Sequence, residues 1–555
     1  MNKRRLLQIT TLSLSLFALP VIAQQILHVN INNGDDANDG LKWSTAFKNI
    51  QPAIDAAVEG DIINVAAGTY YPTKKVAEFY GKNSESALPT TDTNRSFLLT
   101  KNLKLYGGYP ANASDATTIT DCDWTLNPTI LSGDFDDNDG SNFENMDENA
   151  LHVIVMINPT SETQVDGFHI TGGGGEESKY IATVYVENTP VDQRSGGGIY
   201  IYSDKATSPV LSNLVINHNK ASLDGGGIYY YANEKIDASA SPVLNNVSII
   251  NNQAKNGGGF YNNAKMEAKP ILQNVIIAGN EATSEGGGFS CISESGECSP
   301  VLENVLISGN KAKNLAGMFL YAMETNANPV ITNTTVCGNS ANERNTTGGV
   351  YIVATGNVSP FIQNTVIWGN KGTLEEYNNI AYWSQFGSIN PTYSYSMIEG
   401  MDLGETNLNG DTDPMFVNPV DANFAPTTSD FGNYQLLPTS PLINRGNNTD
   451  VTLSYDLNGD NRIYGDIVDI GAYEAQNIDL VDNEIIIADK FIWSHQDNLY
   501  IKINSHTATV RVYSPNGTLI RQINNLGEGT HALSLPSGLY FVTLDMGETA
   551  KIFIR

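Results

Sequence analysis

The chain reads as all-β, a right-handed parallel β-helix: a solenoid whose coils carry nearly the same words. Three observations predict it. A fourteen-residue phrase recurs six times, beginning at Ser208, Ser241, Lys269, Ser299, Asn328 and Ser359; SPVLENVLISGNKA is the copy at Ser299. The start-to-start steps are 33, 28, 30, 29 and 31 residues, so one structural unit repeats with loops of variable length. Within each phrase apolar residues alternate with period two, while Asn and Gly return at fixed places, as strands and tight turns require.

Aligning the copies on their central residue gives a ladder of Asn213, Asn246, Asn274, Asn304, Asn333 and Asn364. A second polar column, Asn219, Asn252, Asn280, Asn310, Asn339 and Asn370, follows six residues on. One such unit cannot bury its own apolar side. Stacked units do so, with strands about 4.8 Å apart and like residues above like. Asn suits the corners because it tolerates a left-handed backbone and its amide can bond the amides above and below. Glycine runs at 196–198, 225–227, 257–259 and 286–288 open the other half of the coil. Behind them Ile199, Ile228, Phe260, Phe289, Met318 and Val350 point inward. Parity then turns Tyr200, Tyr202, Tyr229, Tyr231, Tyr261, Phe319, Tyr321 and Tyr351 outward. Sugar rings would stack on such a stripe, with phenol hydroxyls as hydrogen-bonding handles. Tyrosine is also at home in any sheet, so a stripe covered by loops is the competing reading.

The flanks follow from the same logic. Residues 1–23 have a basic start, an apolar stretch and a small-residue site, as a signal peptide does. The coils are expected over 24–400, behind a capping helix from Ser44 to Val58 that presents Phe47, Ile50, Ile54, Ala57 and Val58 at helical spacing. Residues 401–476 are richer in Pro and Asp and form a closing region; 477–498 read as a linker. The alternating tail, 499–555, with turns at SPNG and PSG, reads as a small antiparallel β-sandwich. No later stretch is long and apolar enough for a transmembrane helix.

The net charge is −29. That argues against nucleic acid, which needs a basic footprint, and against polyanionic glycans unless a cation inverts the local field. Four scattered cysteines form neither a disulfide scaffold nor a zinc site, and Cys291 falls on the inward column.

The phrases DGLKWSTAFKNIQPAIDAAVEGDIINVAAGTYYPT, TILSGDF, VDGFHITGGG, SPLINRG and VDIGAYE, with the GGGIY repeats, resemble the choice-of-anchor Q proteins. The likeness also extends to polymorphic outer-membrane-protein repeats and spans about residues 26–476. It implies a surface-displayed or secreted β-helix and no particular catalytic activity. The end of the chain, with Val512-Tyr513-Ser514-Pro515-Asn516-Gly517 and Lys551-Ile552-Phe553-Ile554-Arg555, is similar to the sorting domain of the type IX secretion system. That implies a Bacteroidetes-type bacterium and the type IX machinery as a partner.

For chemistry, the acidic loop GDFDDNDG stands out. Asp134, Asp136, Asp137 and Asp139 offer hard oxygens at a density that suits Ca²⁺. Asp456, Asn458 and Asp460 have calcium-loop spacing but lack the acidic twelfth ligand, where Ile467 stands. Calcium is the one cofactor the sequence suggests. Gly-His-Gly and Gly-x-Ser-x-Gly are absent; Arg194 and Lys179, later in the chain, are candidate bases for a lyase, and nothing in the sequence places them beside the aspartates. The reading favoured is a monomeric, non-enzymatic glycan-binding or adhesive surface protein. The rivals are a Ca²⁺-assisted polysaccharide lyase or glycoside hydrolase, and a structural spacer.

Overall fold

The computed structural model describes residues 24–76, 92–174, 183–476 and 490–554, apart from short stretches at 187, 206, 234–238, 344–345, 374–377, 405, 424–430, 496–497, 504–506, 515–517, 537 and 545–547. The 1–23 leader, most of the linker and Lys179 lie outside the described residues. The chain divides into two units, 1–476 and 477–555.

The first unit is a parallel β-helix. Among the described residues its coils build three large sheets, of seventeen, ten and four strands, parallel except for the edge strand Lys74–Lys75, which pairs antiparallel with Arg95–Leu99. The register is one repeat per coil. Leu244 lies beside Leu211 and Leu272, Ile249 beside Ile216 and Ile277, and Phe260 beside Phe289. These residues and their counterparts fill one continuous apolar core. A slip of one residue would turn that whole set outward, so the apolar pattern itself fixes the register.

The two Asn columns do different jobs. Asn213, Asn246, Asn274, Asn304, Asn333 and Asn364 all sit at positive φ, between 46° and 60°; the first four lie in the middle of an eight-residue strand, and Asn333 and Asn364 between two short ones. There they turn the chain, because Asn adopts the left-handed region at less cost than other residues with a Cβ. Their side chains pair where the coils allow: Asn246 Nδ2 donates to Asn213 Oδ1 at 2.6 Å and Asn364 Nδ2 to Asn333 Oδ1 at 2.9 Å. Asn246 is exposed, whereas Asn304, Asn333 and Asn364 are buried.

The unbroken ladder is the second column. Asn252 Nδ2 donates to Asn280 Oδ1 at 3.0 Å, Asn280 to Asn310 at 3.0 Å, Asn310 to Asn339 at 2.9 Å and Asn339 to Asn370 at 2.8 Å. Each Oδ1 also accepts the backbone N–H of the preceding rung, as Asn280 Oδ1 does from Asn252 at 3.0 Å. Each Nδ2 also donates to an aliphatic residue's carbonyl one coil back, as Asn280 does to Ile249 at 2.9 Å. The column is buried, and all its polar atoms have partners. Glycine is needed beside it. A Cβ on Gly258 would stand 2.4 Å from the Glu281 carbonyl and 2.7 Å from that of Gly287.

At the front the helix is shorter than the sequence suggests, Ile50–Ala56, with Asn49 as its N-cap. Trp43–Thr45 forms a separate 3₁₀ turn, with Ser44 bonded to Asp115. Ile50, Ala53, Ile54 and Ala57 join the main core, while Val58 is exposed. The first strand of the unit, Ile26–Val29, pairs with Ile62–Ala66.

Residues 401–476 run back over the coils. Glu303 accepts from Thr452 N at 2.7 Å and Leu453 N at 3.2 Å, and Asn364 exchanges hydrogen bonds with Asn447, both at 2.8 Å. Ala472 N donates to Thr335 Oγ1 at 3.0 Å. Phe416, Tyr434, Leu442 and Ile470 bury Leu306, Cys337, Val366 and Met397, which face outward from the long sheet.

In the second unit, antiparallel strands form a three-stranded and a four-stranded sheet around a core that includes Leu499, Ile501, Val510, Val512 and Val542.

Replacing Asn280 by Ala removes the acceptor of two Asn252 donors inside the core. Unfolding followed by circular dichroism should show a loss of about 3 kcal/mol, the scale of buried unpaired polar groups. Asn246→Gly, at an exposed left-handed position, should cost a few tenths at most. Equal losses would refute this division of roles.

Candidate functional site

Three places carry functional groups: the aromatic stripe, the acidic loop and a cleft beside it.

The stripe divides into a covered front and an open rear. Tyr200, Tyr202 and Tyr229 do not form an open platform; they are buried, Tyr229 at 8% exposure. The hairpin of Thr183–Val186 and Thr189–Asp192 lies over them, packing Val184, Val186 and Val191 on their rings. The Tyr200 hydroxyl accepts from Asp192 N at 3.2 Å, and the Tyr202 hydroxyl accepts from Asn233 Nδ2 at 2.7 Å. Burial raises the hydroxyl pKa of Tyr200, Tyr229 and Tyr261 well above the usual value, so these phenols stay neutral. Tyr231 and Tyr261 pack partly buried against this cluster.

Further along, the outward column stays accessible. Phe319, Tyr321 and Tyr351 are half-buried. Phe319 lies 6.0 Å from Tyr321 and 6.2 Å from Tyr351, with interplanar angles of 18° and 14°, so the three rings lie nearly parallel. The next coil adds Trp383, which pairs with Val353 and is 45% exposed. Phe386, just beyond, is 80% exposed. Neither residue was legible as part of the stripe, because this coil replaces the Gly-Gly of its predecessors with Asn378-Asn379.

In the acidic loop, Asp134 and Asp139 come together and Glu148 joins them. One carboxylate oxygen from each lies within 4.8 Å of the others. Asp136 and Asp137 do not take part; both are exposed. Asp134 is oriented by its own loop, accepting from Asn138 N at 3.2 Å and Asp139 N at 3.1 Å. Asn149 Nδ2 donates to Asp139 Oδ2 at 2.8 Å. Burial pushes the Asp139 carboxyl up to about 6; the charges of Asp134 and Glu148 add to this and the Asn149 amide opposes it. Glu148 sits fourteen residues after Asp134, a separation that no spacing motif marks.

The other acidic stretch, where the sequence suggests calcium, is bonded largely within the chain. Both oxygens of Asp456 accept backbone N–H groups, from Asn458 and Asp460 at 2.9 Å each and from Glu474 at 2.8 Å. Asn458 Nδ2 donates to Asp460 Oδ2 at 2.6 Å. Fully buried Arg462 pairs with Glu474 at 3.1 Å and donates to the carbonyls of Asp469 and Gly471. The Arg462 guanidinium thus brings a positive charge to Glu474 inside this region.

A cleft of about 260 Å³ opens beside the first loop, lined by Phe143, Met146, Asp147, Gln193, Arg194 and Lys220 among others. Arg194 is held by Asp192, with Nε at 2.9 Å from Oδ1 and Nη2 at 2.9 Å from Oδ2. His218 stacks on Phe143 at 4.6 Å and 2°, and His169 lies edge-on to Trp124 at 6.5 Å. Cys291 and Cys298 are free thiols, both buried.

No family model and no curated protein matches the chain. Among solved structures it is similar to a pectate lyase, Pel9A, at 14% identity and a TM-score of 0.40, over 82% of this chain and 97% of that one. It is also similar to a rhamnogalacturonan lyase at 11% identity and a TM-score of 0.26, over 71% and 90% of the two chains. The architecture is a parallel β-helix. That statement rests on the coil-to-coil register, and likenesses this distant add nothing about activity.

Because Tyr229 is a core residue, Tyr229→Ala should lower stability by about 3–5 kcal/mol, the cost of a large aromatic lost from a packed site. A melting temperature unchanged from wild type would show that the hairpin leaves this ring free.

Proposed function

We propose that the chain is an exported, monomeric β-helix protein that binds glycans through the open rear of its aromatic stripe. Phe319, Tyr321, Tyr351 and Trp383 carry this reading. The nearly parallel rings of Phe319, Tyr321 and Tyr351, with exposed Trp383 on the next coil, offer flat apolar faces at little entropic cost, and the two phenols add hydroxyls at the edges. The charge of −29 favours neutral or weakly charged sugars over polyanions. Export to the cell surface by the type IX route is part of the proposal. It is supported by the signal-like 1–23 segment, the choice-of-anchor Q resemblance of 26–476 and the sorting-domain resemblance of the tail. Trp383→Ala and Tyr351→Ala should each weaken retention on neutral polysaccharides in affinity electrophoresis about tenfold, without shifting the melting temperature. Retention equal to that of the parent chain would refute the stripe.

A second reading is favoured by the cleft, which places Lys220 and Arg194 within reach of one ligand beside the acidic loop. In a polysaccharide lyase such a side chain, in its neutral form, takes the proton next to a uronate carboxylate; the glycosidic C–O bond then breaks, the leaving oxygen is protonated, and an unsaturated sugar remains. Incubation with a panel of uronate polymers, followed by absorbance of the unsaturated product, tests it. Turnover lost in Lys220→Ala would support a lyase, and silence across the panel would remove this reading.

A further inference from the structure

We propose that Asp134, Asp139, Glu148 and Asn149 form a calcium site that pins the loop 133–150. The reasoning begins with unpartnered acceptors. Asp139 Oδ1, Glu148 Oε1 and Asn149 Oδ1 are buried, and none has a hydrogen-bond partner. Asn149 is completely buried, and its Nδ2 bond to Asp139 Oδ2, at 2.8 Å, holds its amide against the cluster. Three carboxylates that converge within 4.8 Å repel one another, and among the described residues no Lys or Arg forms an ion pair with any of them. Converging carboxylates that leave buried acceptor atoms without a donor are costly unless something electropositive lies among them.

The chemistry selects the class of cation. All the donors are hard oxygens, with no imidazole or thiolate, which suits Ca²⁺ rather than zinc or copper. Calcium–oxygen distances of about 2.4 Å allow two ligands to stand at most about 4.8 Å apart, and these carboxylate oxygens all fall within that limit. Asp134 is already aimed by two backbone N–H groups, and the loop ends are joined by Ala150 N donating to the Gly133 carbonyl at 2.8 Å. The site is therefore held in place at both ends of the loop, and water can complete the coordination. Met146 and Asp147, on the same loop, line the cleft, so the ion would set the position of one cleft wall. The site stands independently of whether the stripe or the cleft binds sugar.

Calcium chloride titrated calorimetrically into the chelator-treated full chain should show one site, with Kd at about 1 mM or below, and raise the melting temperature. Glu148→Gln and Asn149→Ala should each weaken binding roughly tenfold or more, while Asp136→Asn, outside the cluster, should bind as the parent does. Without calcium, Asp139→Asn should melt no lower than the parent, because it relieves repulsion; this separates loss of a ligand from loss of the fold. Absence of both heat and thermal shift at about 10 mM calcium, or equal loss of binding in Asp136→Asn, would overturn the site.

Discussion

Everything in the first unit depends on vertical register, and the buried column from Asn219 to Asn370 enforces it. Apolar contact supplies most of the driving force for stacking but tolerates small displacements. The amide ladder does not. Each rung donates upward and to the coil below, and accepts twice. A coil shifted along its strand would leave several buried polar groups unpaired at once, at about 1–3 kcal/mol each. The left-handed Asn column contributes something else: a bend in every coil at the same height, which lets the first strand wrap around the core.

Fixed register makes the outer surface as regular as the inner one, and insertions then decide what that surface can do. The same outward face is apolar core beneath the 183–192 hairpin and carries accessible rings at Phe319, Tyr351 and, in the neighbouring column, Trp383. The acidic loop works similarly. It leaves the coil at Gly133, returns at Ala150, and within that excursion gathers carboxylates that a regular coil would keep apart.

The repeated phrases made the coil phase, the inward residues and both Asn columns legible, because each position is written six times over and read with the same parity. Features that occur once were harder to read. The hairpin cover depends on a single insertion between Gly174 and Gly196, so no comparison of copies could show which tyrosines it reaches. Trp383 was missed for a related reason: its coil has lost the glycines that set the phase. In the acidic loop, four aspartates looked alike in sequence. Only burial separates Asp134 and Asp139 from Asp136 and Asp137, and only the loop's path brings in Glu148. At Asp456 the spacing of a calcium loop was real, and the backbone N–H groups of Asn458, Asp460 and Glu474 bond its two oxygens.

The return segment changes how such a solenoid can come apart. A plain stack of coils frays from its ends, each layer leaving independently of those far from it. Here 401–476 begins where the coils end and is bonded back to Glu303, Thr335 and Asn364, three layers toward the middle. Peeling the terminal coil therefore requires breaking contacts with interior ones as well. The segment acts as a belt drawn over several layers, and it converts gradual unzipping at that end into a single concerted event.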